Sequence, residues 1–177
     1  LEKIINDAWE KKDQVNQNSD KKKIQSHFKE ITSDPVDFRD ELTIEIADAK
    51  QISVVCHFAK EHLDFDYLVD LCSIDNDDET PRWTVVYHIY SYKHFKHLRL
   101  KVHVSEEDSK LPTVTNVWKT ANWHEREVFD MMGIDFIGHP DLRRILMWEG
   151  YPYHPLRKDF PLAGKSSDMP DVAFTDP

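Results

Sequence analysis

Glycine and cysteine are scarce in this sequence. The four glycines, at 133, 138, 150 and 164, are spread over 177 residues, and none falls in G-x-G-x-x-G or a P-loop. Dinucleotide and nucleoside-triphosphate sites of those types are absent by motif, because both need Gly to bring backbone N–H groups against phosphate. The two cysteines, Cys56 and Cys72, stand alone. Without C-x-x-C the chain encodes no local iron–sulfur ligand set and no thiol redox pair. Two cysteines also make no disulfide framework, which fits a reducing cytosol. No Ser or Cys occupies a nucleophile elbow. No apolar run approaches the ~20 residues that span a bilayer. The opening "LEKIINDAWEKK" has apolar residues at 1, 4, 5, 8 and 9, a helical spacing, but lacks a signal-peptide core.

What is present argues for a globular chain. Hydrophobic residues make up 40%, with 9 Phe and 5 Trp, enough for one domain with a real core plus an extension. The net charge of −10 disfavours nucleic acid as a partner, yet the charge is uneven. From Arg82 to Ser105 there is no acidic residue, while Arg82, Lys93, Lys96, Arg99 and Lys101 are basic; acid gathers in "SIDNDDE". That strip, interleaved with Tyr90, Tyr92 and Phe95, reads either as a solvated sheet face or as a basic–aromatic surface for RNA. His94, His97 and His103 lie in the same region, where solvated strand positions are the plainer reading than a metal cluster.

Three zones follow along the chain. Residues 1–34 read as a helical or flexible extension broken at "KKDQVNQNSDKKK". Residues 35–132 read as an α+β domain. "ELTIEIA" alternates Leu42, Ile44 and Ile46 as a half-buried strand, and Ile52, Val55, Ala59 and Leu63 fall at helical spacing. "FDYLVDLCSID" returns to strand or mixed character, and "RWTVVYHIYSY" with "HLRLKVHV" predicts a β-hairpin. After Pro112, Val114, Val117, Trp118 and Ala121 predict a helical turn sequence. The order β-α-β-β-β-α implies a mixed or antiparallel sheet with helices on one face. Residues 133–177 hold most of the nine prolines and read as a long irregular segment that must lie on something, with partner contact favoured.

The stretch "NWHEREVFDMMG", residues 122–133, carries the densest charge. Asn122 and Glu125 have capping-box spacing, and Gly133 suits the left-handed residue that ends a helix. A zinc helix needs H-E-x-x-H, but the second histidine position is Val128. Glu125 and Glu127 are two residues apart, so at ~100° per residue they point to nearly opposite sides and cannot flank one bond as acid and base. Arg126 and Asp130 share a face and can pair. With charges on several sides of an aromatic helix, each needs a partner, which points to an interface and not to a catalytic centre. Read from the residues alone, the domain has no catalytic, cofactor or metal residues.

The same stretch resembles a known family, the C subunits of the proton-pumping NADH:quinone oxidoreductase (respiratory complex I). The resemblance rests on Glu125, Arg126 and Glu127, then Asp130, Met131 and Met132, then His139, Arg143, Ile145 and Leu146, with Arg-Lys-Asp-Phe-Pro-Leu at 157–162. "TVTNVWKTANW" extends it more weakly towards Leu42, and "GYPYHPLRKDFPL" is longer than the family's usual approach to that motif. The resemblance implies a cofactor-free structural subunit of the peripheral arm. FMN and iron–sulfur clusters would reside in partner subunits, and this chain would pack on the large quinone-site subunit and the cluster-bearing subunits. Glu125, Arg126, Glu127, Asp130, His139, Arg143, Arg144, Arg157, Lys158 and Asp159 become the expected partner-interface residues. It implies a peripheral location on the cytoplasmic side of the inner membrane. The absence of an Arg-rich transit peptide favours a bacterial or archaeal source. An equivalent subunit of a related membrane-bound hydrogenase or other-donor complex is the alternative within that superfamily; a standalone RNA- or ligand-binding module is the alternative outside it.

Overall fold

A computed structural model of the chain describes residues 22, 23, 26, 32–39, 41–77 and 79–165. The helices expected in residues 1–34 lie almost wholly outside that set. Among the described residues the elements from Val36 onward follow in the order β1 (Val36–Phe38), β2 (Glu41–Ile46), α1 (Ile52–Leu63), β3 (Tyr67–Asp75), β4 (Trp83–Ser91), β5 (Lys96–Val104), β6 (Lys110–Pro112), α2 (Ala121–Met132) and β7 (Asp135–Ile137). Five strands form a mixed sheet in the order β1-β2-β5-β4-β3, and β6 with β7 forms a small parallel pair.

The alternation of the sequence builds the main sheet. β4 and β5 pair antiparallel from Trp83↔Val104 to Ser91↔Lys96, the expected hairpin. β2 joins the far edge of β5 in parallel, which places Ile44 opposite Leu100. Trp83, Val85, Tyr87 and Ile89 of β4 and Leu98, Leu100 and Val102 of β5 then share one buried face. α1 lays Ile52, Val55, Ala59 and Leu63 into this core, and α2 adds Val128, Met131 and Met132. Each large aliphatic buried there contributes roughly 1.5–3 kcal/mol of transfer free energy. The architecture is the α+β sandwich with a mixed sheet that the strand pattern implies.

Two local expectations fail, for physical reasons. The residues after Pro112 form successive turns and not a helix. The N–H groups of Val117 and Trp118 both donate to the Val114 carbonyl, and Lys60 Nζ caps the Val117 carbonyl at 2.5 Å. The β-branched and Asn-bearing run "TVTN" has weak helix propensity, so burial of Val114, Val117 and Trp118 is achieved by turns. The capping box also does not form. Thr120 is the N-cap residue without a side-chain cap, and the Asn122 N–H goes to the Lys119 carbonyl because Glu125 is engaged elsewhere. The other end of α2 is as expected, with Gly133 left-handed (φ 75°) and its N–H on the Phe129 carbonyl.

The core also runs past Gly133 into the segment expected to be extended. Ile134 and Phe136 are buried, and β7 pairs Phe136 with Leu111. Beyond Ile137 the described chain has no further helix or strand, so its backbone groups must find side-chain partners or water.

Candidate functional site

Helix α2 supplies those partners. Asp130 is fully buried, and its Oδ2 accepts the N–H groups of Ile145 (3.0 Å), Leu146 (2.7 Å) and Met147 (2.8 Å). Its Oδ1 accepts Arg144 Nη1 at 2.5 Å. Burial pushes this carboxyl upward, but three backbone N–H bonds and the Arg144 bond outweigh it and hold it below the ordinary carboxylate value. One turn earlier, Arg126 does the complementary work. Its Nε donates to the Arg143 carbonyl (3.1 Å) and Nη2 to the Arg144 carbonyl (3.2 Å), with the guanidinium over the Trp123 ring. Arg126 and Asp130 therefore do not pair with each other as expected; each takes the opposite polarity of the passing backbone.

The rest of the segment is tied the same way. His154 Nδ1 donates to the Asp130 carbonyl (2.9 Å), and the Leu156 N–H to the Met131 carbonyl (3.1 Å). Arg157 Nε reaches the Met132 carbonyl at 2.7 Å, so the C-terminal carbonyls of α2 are capped from outside the helix. A second anchor lies across the sheet. Asp75 holds Arg82 in a two-point fork (3.0 Å each) and accepts the Lys158 N–H at 2.8 Å. Burial raises the Asp75 carboxyl, but the Arg82 fork and the N–H donors of Lys158 and Asp77 reverse this and bring it to about 2. Arg82 also meets Glu106 (2.6 Å) and Asp159 (3.4 Å) and lies over Trp83.

Glu125 faces the other way, as helical geometry requires, and Glu127 is exposed. Glu125 is fully buried; Thr113 Oγ1 donates to Oε2 at 2.5 Å and the Val114 N–H to Oε1 at 2.7 Å. Burial is the largest influence on its carboxyl and outweighs both hydrogen bonds, raising it to about 7. His139 Nε2 lies 4.0 Å from Oε2 and hydrogen-bonds the Asn122 carbonyl at 3.2 Å, while Nδ1 accepts the Asp141 N–H.

The ten expected interface residues thus divide by exposure. Glu125, Arg126, Asp130, His139, Arg144 and Arg157 are buried or half-buried with partners within the chain, whereas Glu127, Arg143, Lys158 and Asp159 are exposed, although Arg143 meets Asp141 and Asp159 meets Arg82. Sequence reading missed Asp75, Thr113, Thr115 and His154. Asp75 stands out in sequence only as part of the acidic run "SIDNDDE", although its counter-ion Arg82 opens the acid-free strip. That strip is itself largely neutralised: Lys93 meets Asp64 at 2.7 Å, Arg99 meets Glu41, and Lys96 is buried. Among the described residues no group of three or more His, Cys, Asp or Glu side chains is placed to hold a metal ion, and no helix is long and apolar enough to cross a membrane.

Comparison with known proteins places this geometry. Residues 45–166 match the family described as respiratory-chain NADH dehydrogenase, 30 Kd subunit. The chain is 56% identical over 117 residues to the second C subunit of the NADH-quinone oxidoreductase of Rhizobium meliloti (strain 1021), covering 65% of this chain and 64% of that protein. It therefore spans less than two thirds of that relative's length. With the NADH-quinone oxidoreductase C subunit of Geobacter sulfurreducens it shares 43% identity over 143 residues, 80% of this chain and 88% of that one. Among solved structures, a trypsin-resistant fragment (1-134) of Nqo5 matches with a TM-score of 0.61 at 29% identity, over 72% of this chain and 99% of the fragment. A chain of the membrane-bound sulfane sulfur reductase, an archaeal respiratory membrane complex, matches with a TM-score of 0.70 at 21% identity, covering 80% of this chain and 83% of that one, a likeness of fold alone. The family match covers both helices, the main sheet from Glu45 onward and every charged contact of α2, and on that ground the chain belongs to the respiratory-chain NADH dehydrogenase 30 Kd subunit family, the family of the NADH-quinone oxidoreductase C subunits.

Proposed function

We propose that the chain is a cofactor-free structural subunit of the peripheral arm of an NADH:quinone oxidoreductase. It holds the large quinone-site subunit and the cluster-bearing subunits in register while electrons pass from NADH to quinone and protons are moved. The observation that carries this reading is the use made of the α2 charges. Arg126 and Asp130 are spent on fixing an irregular backbone segment. The segment so fixed presents Arg143, Leu146, Leu156 and Lys158 to solvent. A preordered surface of this kind loses little entropy on docking. Scaffolding matters to rate, because a misplacement of ~1 Å at a reacting centre can cost about a hundredfold. FMN and iron–sulfur clusters belong to the partner subunits in this reading. The chain sits peripherally on the cytoplasmic side of the membrane, in a bacterial or archaeal cell.

Native purification through a tag on this chain tests the proposal. Co-purification with an iron–sulfur complex that reduces quinone with NADH is expected, and a lone soluble chain would overturn it. The variant Arg126→Ala separates scaffold from catalyst. Assembly should fall while turnover per assembled complex stays near normal; normal assembly with collapsed turnover would mean catalysis. An equivalent subunit in a complex fed by another donor is favoured only by the shared fold with the sulfane sulfur reductase chain. The electron donor accepted by the purified complex decides between them.

A further inference from the structure

The buried Glu125 is not used in fixing the C-terminal segment, and its surroundings are unlike those of Asp130. Asp130 has four donors; Glu125 has two, the Thr113 hydroxyl and the Val114 N–H. Behind the Thr113 hydroxyl stands a second one. Thr113 Oγ1 and Thr115 Oγ1 are 2.9 Å apart and either can donate, and the Thr115 N–H also points at Thr113 Oγ1 at 3.2 Å. Glu125 is 0% exposed whereas Thr113 and Thr115 keep 9% and 8%, so in this chain of hydrogen bonds the threonines reach the surface and the carboxyl does not.

We propose that Glu125, Thr113 and Thr115 form a proton-binding relay, in which a buried carboxyl exchanges one proton with solvent through two hydroxyls whose hydrogen bonds reverse direction. With Glu125 ionised, the Thr115 O–H donates to Thr113 Oγ1 and the Thr113 O–H donates to Glu125 Oε2. A proton arriving from water binds Thr115 Oγ1. The original Thr115 proton passes to Thr113, and the original Thr113 proton passes to Oε2. The end state has Glu125 O–H donating to Thr113 Oγ1 and Thr113 O–H donating to Thr115 Oγ1. One proton has been taken up, every oxygen keeps its partner, and the Val114 N–H stays on Oε1 throughout.

The other groups around Glu125 do not offer this service. His139 faces it from the segment after β7, but its Nδ1 accepts the Asp141 N–H, which puts the ring proton on Nε2 beside the Asn122 carbonyl. Cys56 from α1 and Tyr87 from β4 are fully buried and feel the Glu125 charge, which adds to the burial that raises both. Neither offers a route to solvent. Burial with only two donors brings Glu125 near neutrality, where both protonation states are populated.

Carboxyl-carbon NMR of the 13C-labelled full chain tests the relay without any variant that threatens the fold. One carboxyl carbon should titrate with a midpoint between pH 6 and 8, and it should vanish in Glu125→Gln. If every carboxyl titrates below pH 5, the proposal fails. At the midpoint the wild-type signal should be a single averaged line. Thr115→Val keeps the shape but removes the outer hydroxyl, so exchange should slow and that line should broaden or split. An unchanged line shape in Thr115→Val would show that the proton reaches Glu125 without the hydroxyls and would overturn the relay. Thr113→Val removes the donor to the carboxylate and should move the midpoint upward; a downward move would also refute the proposal.

Discussion

Substituting Asp130 by Ala probes the attachment of the C-terminal segment most directly. The change removes the acceptor of three backbone N–H groups and of Arg144, whose side chain is only 14% exposed. A buried donor left without a partner costs about 1–3 kcal/mol, and breaking a buried charge pair by deleting one partner costs about 3–5 kcal/mol. These costs do not simply add. Leu146 is exposed and Ile145 and Met147 are half-buried, so the segment can lift and return its N–H groups to water. The loss is therefore capped by the free energy of peeling the segment from α2, and about 3–5 kcal/mol is expected, a large share of a domain's typical 5–15 kcal/mol. Asp130→Asn keeps one acceptor oxygen but sets an NH2 group against the Arg144 guanidinium, so it should cost about 2–3 kcal/mol.

Two measurements on the full chain separate global from local effects. Urea unfolding reports the overall stability, and limited trypsin cleavage at Arg143, Arg144, Arg157 and Lys158 reports local opening of the segment. Cleavage should accelerate more than tenfold in Asp130→Ala, with the sites opening together. If stability stays within about 1 kcal/mol of wild type and cleavage is unchanged, the four contacts carry nothing and the reasoning is wrong. The same contacts alter what deletion from Gly138 onward should do. A segment lying only on a partner would leave the domain intact, whereas here its removal strands Asp130, and the domain should lose cooperative unfolding or a large part of its stability.

Three further outcomes follow from the same geometry. Glu125 sits at about 7 when folded against an ordinary 4.5, so the folded state holds this proton more tightly than the unfolded chain. Its contribution to stability should fall as pH rises from 4.5 to 7 and stay flat above, by about 3 kcal/mol in all; Glu125→Gln should abolish that slope in urea midpoints compared at pH 5 and 8. Asp75 behaves oppositely, because its folded value of about 2 lies below the ordinary 3.8. Its stabilisation, about 2 kcal/mol, is present above pH 3.8 and lost as pH falls towards 2, and Arg82→Met should shift the acid transition to higher pH. At Gly133 a Cβ would be left-handed and would collide with the Arg157 guanidinium and the His154 ring, both already anchored to α2 carbonyls. Gly133→Ala should therefore cost more than the roughly 1–2 kcal/mol of left-handed strain alone, measured by thermal or urea unfolding.

How much of this was legible in sequence depends on the range of the interaction. β2, α1, β4 and β5 follow from period-2 and period-3.6 patterns within a dozen residues, β3 reads only as strand or mixed, the short β1, β6 and β7 carry no such pattern, and α2 is marked by its stop signal Gly133. The opposed directions of Glu125 and Glu127 follow from helix geometry alone. The partners of the charges do not, because Asp130 is satisfied by N–H groups of 145–147, which carry no side-chain identity. Backbone donors are present at every non-proline residue, so no sequence pattern marks the three that bind. The capping-box spacing misled for a related reason. Glu125 has two competing uses, and the turn at Thr113–Val114, fixed by the burial of Val114 and Trp118, offers it a hydroxyl and an N–H that Asn122 cannot match.

The irregular segment and the charged helix explain each other. A chain without helix or strand leaves both its N–H and its C=O groups unpaired, and each would cost free energy if covered by a partner surface. One helix face resolves both needs with two side chains of opposite sign. Arg126 takes the carbonyls of 143 and 144, and Asp130 takes the N–H groups of the next three residues. Arg144, fixed between them, closes the set onto Asp130. Such pairing demands a fork of donors next to a compact acceptor, which Arg and Asp supply and which Lys or Glu would place at the wrong reach. Over residues 143–147 these five main-chain groups are already satisfied, so they need no partner from any surface that covers them. Charge on α2 therefore shapes this surface from beneath it, and substitutions at Arg126 or Asp130 should loosen the backbone of 143–147 without removing any of the segment's exposed side chains.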